Sequence, residues 1–367
     1  INCKLNIFHS ISYYFQRNGY HIMPRLILKN FIHAIKSMCP FLIRSFFSFF
    51  LNGEVLRGFQ LSQEDITIWR NILAITITWG VLFPVFVMEI QYEQLYLKHL
   101  GASPFYIGIT YAAGIVALSI SRLLGGYLAD NIGRKKLIYV FTYIVGILFF
   151  IPYLIVDWVI VAFTLVIINI FFLFQPAVSA LIADSSEARL RGKLYALMNI
   201  LSLLVTIPAP MIANYLVGLY GLVNGMRLIY LITAIIFLLS GFLRQAMLVE
   251  TFRMSENKIE FADMLKGYKC TIKFSFNYLK WPLFARIILF STGFAILNFT
   301  GIYVSDILGL GKMYWGEVFF YSNIITVVIV LSLGFLSDKI GRKIPILSSM
   351  IFFIPTVALL YLSLIHI

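Results

Sequence analysis

The sequence predicts an all-α protein that crosses a membrane many times, and three observations support this fold class. Hydrophobic residues make up 60% of the chain and charged residues 12%, against about 45–50% and about 25% in soluble domains. Apolar stretches of membrane length recur along the chain. A ten-residue motif occurs twice, as GYLADNIGRK at Gly126–Lys135 and as GFLSDKIGRK at Gly334–Lys343, with seven identical positions.

The apolar stretches define the predicted spans, because a helix needs about 20 residues to cross the bilayer core. Nine stretches lack Lys, Arg, Asp and Glu: Asn71–Met88, Phe105–Ser121, Leu137–Val156, Trp158–Ala183, Leu194–Met226, Leu228–Leu243, Ile287–Ser305, Val318–Ser337 and Ile344–Ile367. The fifth has 33 residues, so we expect its helix to end near Val217 and an exposed turn to follow around Gly221.

The spans divide the chain into parts. We expect a six-helix bundle at 67–248, a central loop at 249–282 and a partial second bundle of three helices at 283–367. Residues 1–66 form a basic segment, with seven Lys or Arg and only Glu54 acidic among the first 60. Two interpretations stay open: upstream sequence that is not native, or a segment lying on the anionic inner leaflet.

The loops differ in charge from one side of the membrane to the other. Alternating spans place sixteen basic residues on one set of loops, and Lys98 and Lys312 on the other, with Arg227 at a span edge. The positive-inside rule therefore predicts that the N-terminus, both motif copies and the central loop are cytoplasmic. We expect a multi-pass protein of the cell membrane.

Each residue of the first motif copy suits a tight turn between two helices. Gly126 would let two helices approach closely. Asp130 would end one helix, and Gly133 would permit the sharp turn into the next. Arg134 and Lys135 would then lie on a rigid loop and pair with carboxylates or lipid headgroups. Such a loop is suited to a latch that holds one arrangement of helices and releases another.

The motif resembles the signature G-x-x-x-D-[RK]-x-G-R-[RK] of the major facilitator superfamily, which lies between the second and third spans of that family. The first copy departs from it at Asn131, where a base is usual. The second copy matches it in full, at Gly334, Asp338, Gly341, Arg342 and Lys343.

The resemblance covers residues 67–367 and implies a fold of twelve helices in two six-helix halves, with a substrate cavity that opens to either side in turn. The second half is incomplete here, as if truncated after the ninth helix. In relatives the motif Arg pairs with an acid at the end of the fourth span, which implies that Arg134 pairs with Asp184. A helix start near Gly192 would likewise receive Asp338.

Charged residues inside spans are costly and usually functional. Glu89 and Glu93 are one helical turn apart, and Glu89 lies about 27 Å along the helix from Asn71, near the outer boundary. They could be wetted carboxylates at the interface, or Glu89 could couple transport to protons or recognise a cation. Arg122 could bind substrate or extend to the cytoplasmic surface.

Uncharged polar residues are further candidates for the substrate site. By the resemblance, the first, fourth and seventh spans line the cavity, which selects Asn169, Gln175 and Asn298. Asn169 and Gln175 are six positions apart and should not share a helix face, so at most one would face inward. Hydrogen bonds between helices are the alternative use for each.

Other function classes lack support in the sequence. There is no nucleophile elbow, cluster of catalytic side chains or phosphate-binding loop, and the clustered charge argues against nucleic acid. No metal or other cofactor is expected. We therefore expect a monomeric secondary active transporter of a small solute, coupled to protons, in contact with membrane lipids. The alternatives are a truncated or frameshifted product without activity and, less favoured by its motifs, a multidrug antiporter.

Overall fold

Apolar segments in a bilayer fold as helices because every backbone N–H and C=O must be satisfied within the segment. The computed structural model describes residues 63–186, 191–251 and 261–341, together with positions 351 and 355. These residues contain helices and no strand, which confirms the all-α class. The chain divides into residues 1–66 and 67–367, and all but the last four residues of the first unit lie outside the described part.

The helices are α1 (Gln63–His99), α2 (Pro104–Ile132), α3 (Arg134–Leu148), α4 (Phe150–Leu154), α5 (Trp158–Phe171), α6 (Gln175–Asp184), α7 (Arg191–Thr206), α8 (Ala209–Met247), α9 (Phe261–Tyr278), α10 (Lys280–Ile302) and α11 (Lys312–Ile340). A 3₁₀ turn, Phe172–Phe174, joins α5 to α6, and a π-helical turn, Tyr303–Ile307, follows α10. The end of the bundle where α2 meets α3 is here called the motif end, and the opposite end the far end.

Six helical stretches in the described part have the length and apolar composition of membrane spans: Trp69–His99, Pro104–Ile132, Arg134–Leu154, Trp158–Asp184, Met198–Met247 and Lys312–Val330. The fifth has 50 residues and folds back at Gly221, whose φ of 75° interrupts the helix. This break lies where the sequence predicted an exposed turn. The total of nine spans stays a prediction, because the stretch 344–367 lies almost wholly outside the described residues.

The first span is longer than its charge-free stretch. Its helix continues eleven residues past Met88 to His99, and every residue from Gln91 to Leu97 is buried. The first carboxylate therefore did not mark the end of the span. Neighbouring helices cover this part of α1, so polar side chains are tolerated well inside it.

Aromatic side chains and small residues pack the first six-span bundle. Phe237 of α8 lies 5.4 Å from the ring of Phe149 and 5.4 Å from the ring of Phe86, measured between centroids. Gly146 lets α3 approach α8, because a Cβ there would lie 3.0 Å from Phe237. Close packing of this kind holds membrane helices together without a hydrophobic driving force.

Candidate functional site

Both motif copies end their helix with the same backbone turn. Gly133, between α2 and α3, has a φ of 99°, and Gly341, after α11, has a φ of 81°. Only glycine adopts such values without strain, which explains the glycine in each copy. The surroundings of Gly334, Asp338, Arg342 and Lys343 lie outside the described part of the chain.

The guanidinium of Arg134 gathers three groups at the motif end. It forms an ion pair with Asp184, the last residue of α6. It also donates a hydrogen bond of 3.2 Å to the carbonyl of Ala180, and Asp130 Oδ1 lies 3.9 Å away. The side chain of Arg134 is 12% exposed, so these contacts fix it between α2 and α6. The pairing with Asp184 is the one that the family resemblance implied.

A carboxylate that the sequence did not single out caps α3. Glu250 accepts hydrogen bonds from the backbone N–H of Arg134 at 3.1 Å and of Lys135 at 2.9 Å. These are the first two residues of the helix, whose N–H groups have no partner within it. A negative charge there also interacts favourably with the helix dipole. Its only signal in the sequence is its place as the first acid after the sixth span.

Asn71 ties α1 into the same cluster. Its amide donates to Ser185 Oγ at 3.1 Å and to the carbonyl of Val249 at 3.1 Å. Its carbonyl oxygen accepts from the Val249 N–H at 2.7 Å. The motif end therefore joins the starts of α1 and α3 to the ends of α6 and α8.

The close helix approach at the motif end occurs at Gly125 and not at Gly126. A Cβ added to Gly125 would lie 1.8 Å from the carbonyl oxygen of Leu173. A Cβ on Gly126 would make only an ordinary contact of 3.6 Å with Tyr268 Oη. The motif glycine faces α9, and its neighbour, one position or about 100° away, faces the crossing helix.

The carboxylates of α1 are buried, which excludes the interpretation that they are wetted at an interface. Glu89 is 4% exposed and Glu93 is 8% exposed. Tyr111 of α2 hydrogen-bonds to Glu93, and Tyr230 of α8 lies within electrostatic range of both carboxylates. One oxygen of Glu89, Oε2, is buried with no hydrogen-bond partner.

Next to these carboxylates, the two halves of the bundle meet at the far end. Tyr92 of α1 donates to Asn214 Oδ1 at 2.7 Å, and Trp315 of α11 donates through Nε1 to the Gln91 carbonyl at 2.7 Å. Gly316 makes room for this contact, because a Cβ there would lie 2.4 Å from both Asn214 and Tyr92. These four side chains and Gly316 are named the far-end contact.

The remaining candidate residues lie mainly along α2. Arg122 is exposed and donates to Gln175 Oε1 at 3.1 Å, and the Asn169 amide lies 3.2 Å from where a Cβ of Gly114 would be. Asn298 donates to a carbonyl of its own helix, 2.8 Å from Phe294 O.

Asn169 and Gln175 both meet α2, so the expectation that they lie on different faces is wrong. The 3₁₀ turn Phe172–Phe174 lies between them. Three residues at about 120° per residue instead of about 100° reduce their angular separation from about 120° to about 60°.

Comparison with known proteins places this geometry in a family. The family model described as Major Facilitator Superfamily matches residues 69–366. The chain belongs to this superfamily. Among solved structures it resembles the "Crystal structure of D-xylose-proton symporter", with a TM-score of 0.51 and 18% identity over 76% of this chain and 70% of that chain. At this identity the likeness shows the fold alone. No protein with a curated description matches.

This transporter-family bundle also buries an arginine that the sequence assigned to a loop. Arg244 is fully buried. It donates to Thr142 Oγ1 at 2.7 Å and through Nε to Thr78 Oγ1 at 3.2 Å, and its guanidinium carbon lies 5.3 Å from the ring centroid of Phe174. No carboxylate of the described residues forms an ion pair with it. The charge made Arg244 look like a loop residue, whereas the contacts place it in the core of the first six-span bundle.

Proposed function

We propose that this superfamily member is a secondary active transporter that moves a small solute by alternating access, coupled to protons through Glu89. The observation that carries the proposal is the buried pair Glu89 and Glu93, next to the far-end contact. Carboxylates within membrane spans are expensive and mark ion and proton pathways. The unpartnered Oε2 of Glu89 leaves one acceptor free for a proton.

The far-end contact supports alternating access. Solute entering from the far side requires Tyr92 to separate from Asn214 and Trp315 from Gln91. Each of these contacts joins a helix of the first six-span bundle to a helix of the second half or fixes the side chain beside it. Separation would also change the cover over Glu89 and Glu93, which lie on the same helix. A change in proton binding can therefore accompany the change in access.

The motif cluster is proposed as the latch at the opposite end. Arg134, Asp130, Asp184 and Lys135 connect three helices there. The second copy, with Gly334, Asp338, Gly341, Arg342 and Lys343, would act equivalently in the second half. The basic loops support a cytoplasmic position for the motif end in the cell membrane.

Arg122, Gln175, Asn169 and Asn298 are proposed as contacts to the solute, because their polar groups lie on spans of the central bundle. The structural neighbour's sugar is not carried over to this chain as its substrate. It serves only as the first probe.

The proposal is tested in proteoliposomes that contain a pH-sensitive dye. A panel of solutes that begins with D-xylose is added outside, and internal acidification is recorded. We expect one solute to drive acidification, and Glu89→Gln to abolish it while solute counterflow persists. Glu317→Gln, which changes a half-buried carboxylate on α11, is the matched control and should retain both signals.

Two results would contradict parts of the proposal. Unchanged solute-driven acidification in Glu89→Gln would remove this residue from coupling. The absence of flux for every solute would count against transport by this chain and favour the inactive product.

A further inference from the structure

Helix α9 lies in the predicted central loop and is held to the bundle by one side only. Tyr268 donates a hydrogen bond of 3.2 Å to the Leu123 carbonyl of α2. The ring of Phe261 meets Tyr127 edge to face, with centroids 5.6 Å apart. These contacts place α9 across the motif end of α2, next to Gly126.

Beside this docked side, α9 exposes a stripe of large apolar side chains. Leu265 is 51% exposed, Ile272 57% and Phe276 65%. At about 100° per residue these positions fall within about 40° of one another around the helix. An apolar stripe of this kind on a polar helix is typical of helices that lie in a membrane interface.

The next side of the helix carries its positive charge. Lys266, Lys269 and Lys273 are exposed and fall within about 60° of one another, adjacent to the apolar stripe. Lys269 and Lys273 are four positions apart, where like charges repel each other on a helix surface. An anion bound between them would remove this repulsion.

The apolar stripe continues into a groove between α9 and α10. The groove has a volume of about 470 Å³ and is lined by Ile272, Phe276, Trp281 and Phe284, among others. Lys280 also lines it, with Nζ 5.8 Å from the centroid of the Trp281 ring. Trp and Lys together, with exposed apolar surface below them, are typical of the level where headgroups meet acyl chains.

We propose that α9 binds anionic phospholipid of the leaflet at the motif end. The apolar stripe and the groove accept acyl chain, and Lys269, Lys273 and Lys280 contact the phosphate of the headgroup. Because α9 also contacts α2 beside Gly126, bound lipid holds α9 against the motif. This inference does not rest on the proposed transport function.

The test uses the full chain and a nitroxide label on Cys270, which is exposed on α9, with Cys3→Ser and Cys39→Ser to make the label unique. The label's mobility is followed while phosphatidylglycerol or phosphatidylcholine is added to the detergent-solubilised protein. We expect phosphatidylglycerol to immobilise the label and phosphatidylcholine to have little effect. Two Lys near an anionic surface contribute together about a 30-fold difference in affinity, so Lys269→Gln with Lys273→Gln should weaken the response by about that factor.

The matched control is Lys269→Arg with Lys273→Arg, which keeps the charge and should keep the response. Both pairs change exposed side chains, and equal thermal unfolding midpoints verify that each variant is folded. An equal response to both lipids, or a Gln pair that behaves like the natural chain, would overturn the proposal. The same immobilisation by inorganic phosphate alone would also overturn it, because the site would then recognise a free anion and not a lipid.

Discussion

Removal of the Glu250 carboxylate should loosen the start of α3. This carboxylate accepts from the N–H groups of Arg134 and Lys135 at 3.1 and 2.9 Å. Glu250→Ala removes both acceptors and the negative charge at the helix N-terminus. Glu250→Gln keeps one side-chain oxygen as an acceptor but removes the charge.

The expected size follows from these two contributions. Loss of an N-terminal cap costs about 0.5–2 kcal/mol, and loss of a charge near the helix dipole costs about 0.3–1 kcal/mol. We expect about 1–2 kcal/mol for Glu250→Ala, which corresponds to about 5- to 30-fold faster amide exchange at the first turn of α3. For Glu250→Gln we expect about 2- to 5-fold.

Hydrogen exchange of the protein in lipid nanodiscs, followed by mass spectrometry, measures this directly. The far end offers a matched control, because Asp157 caps α5 with bonds of 2.9 and 3.1 Å to the N–H groups of Val159 and Ile160. Asp157→Ala should speed exchange at α5 and leave α3 unchanged. If Glu250→Ala changes exchange at α3 by less than about twofold, the argument that this carboxylate holds the helix start is refuted.

Two further predictions concern packing and charge. Gly125→Ala should cost about 1–3 kcal/mol by overpacking against Leu173, whereas Gly126→Ala should leave the thermal unfolding midpoint nearly unchanged; equal midpoints would contradict the assignment of the close approach. At the far end Lys98 lies 2.5 Å from Asp306. Partial burial raises the pKa of Asp306, but hydrogen bonding to Lys98 lowers it by more, so the folded-state pKa is below its ordinary value. The pair therefore stabilises above about pH 4 and is lost as pH falls through the lower folded-state pKa. The stability difference from Asp306→Asn, at most about 1 kcal/mol, should vanish on acidification, and a difference that persists in acid would contradict this.

Sequence reasoning succeeded where a residue's local conformation decides its role. The positive φ at Gly133 and the break at Gly221 follow from glycine's freedom in turns. It failed where a partner distant in sequence decides. Burial of Glu89 depends on helices that cover α1 from two halves of the bundle, and the charge alone suggested an interface. Glu250 is invisible as a cap until the chain has folded back to α3.

Helix α1 connects the proposed latch to the proposed coupling site. Asn71 holds its motif end through Ser185 and Val249, and Tyr92 holds its far end through Asn214. The two anchor points are 21 residues apart, about 32 Å along a helix, and Glu89 lies between them. A shift of α1 that separates the far-end contact therefore acts on Glu89 and also strains the bonds of Asn71. Under the proposed mechanism, the two ends need no separate signal between them, because one helix takes part in both.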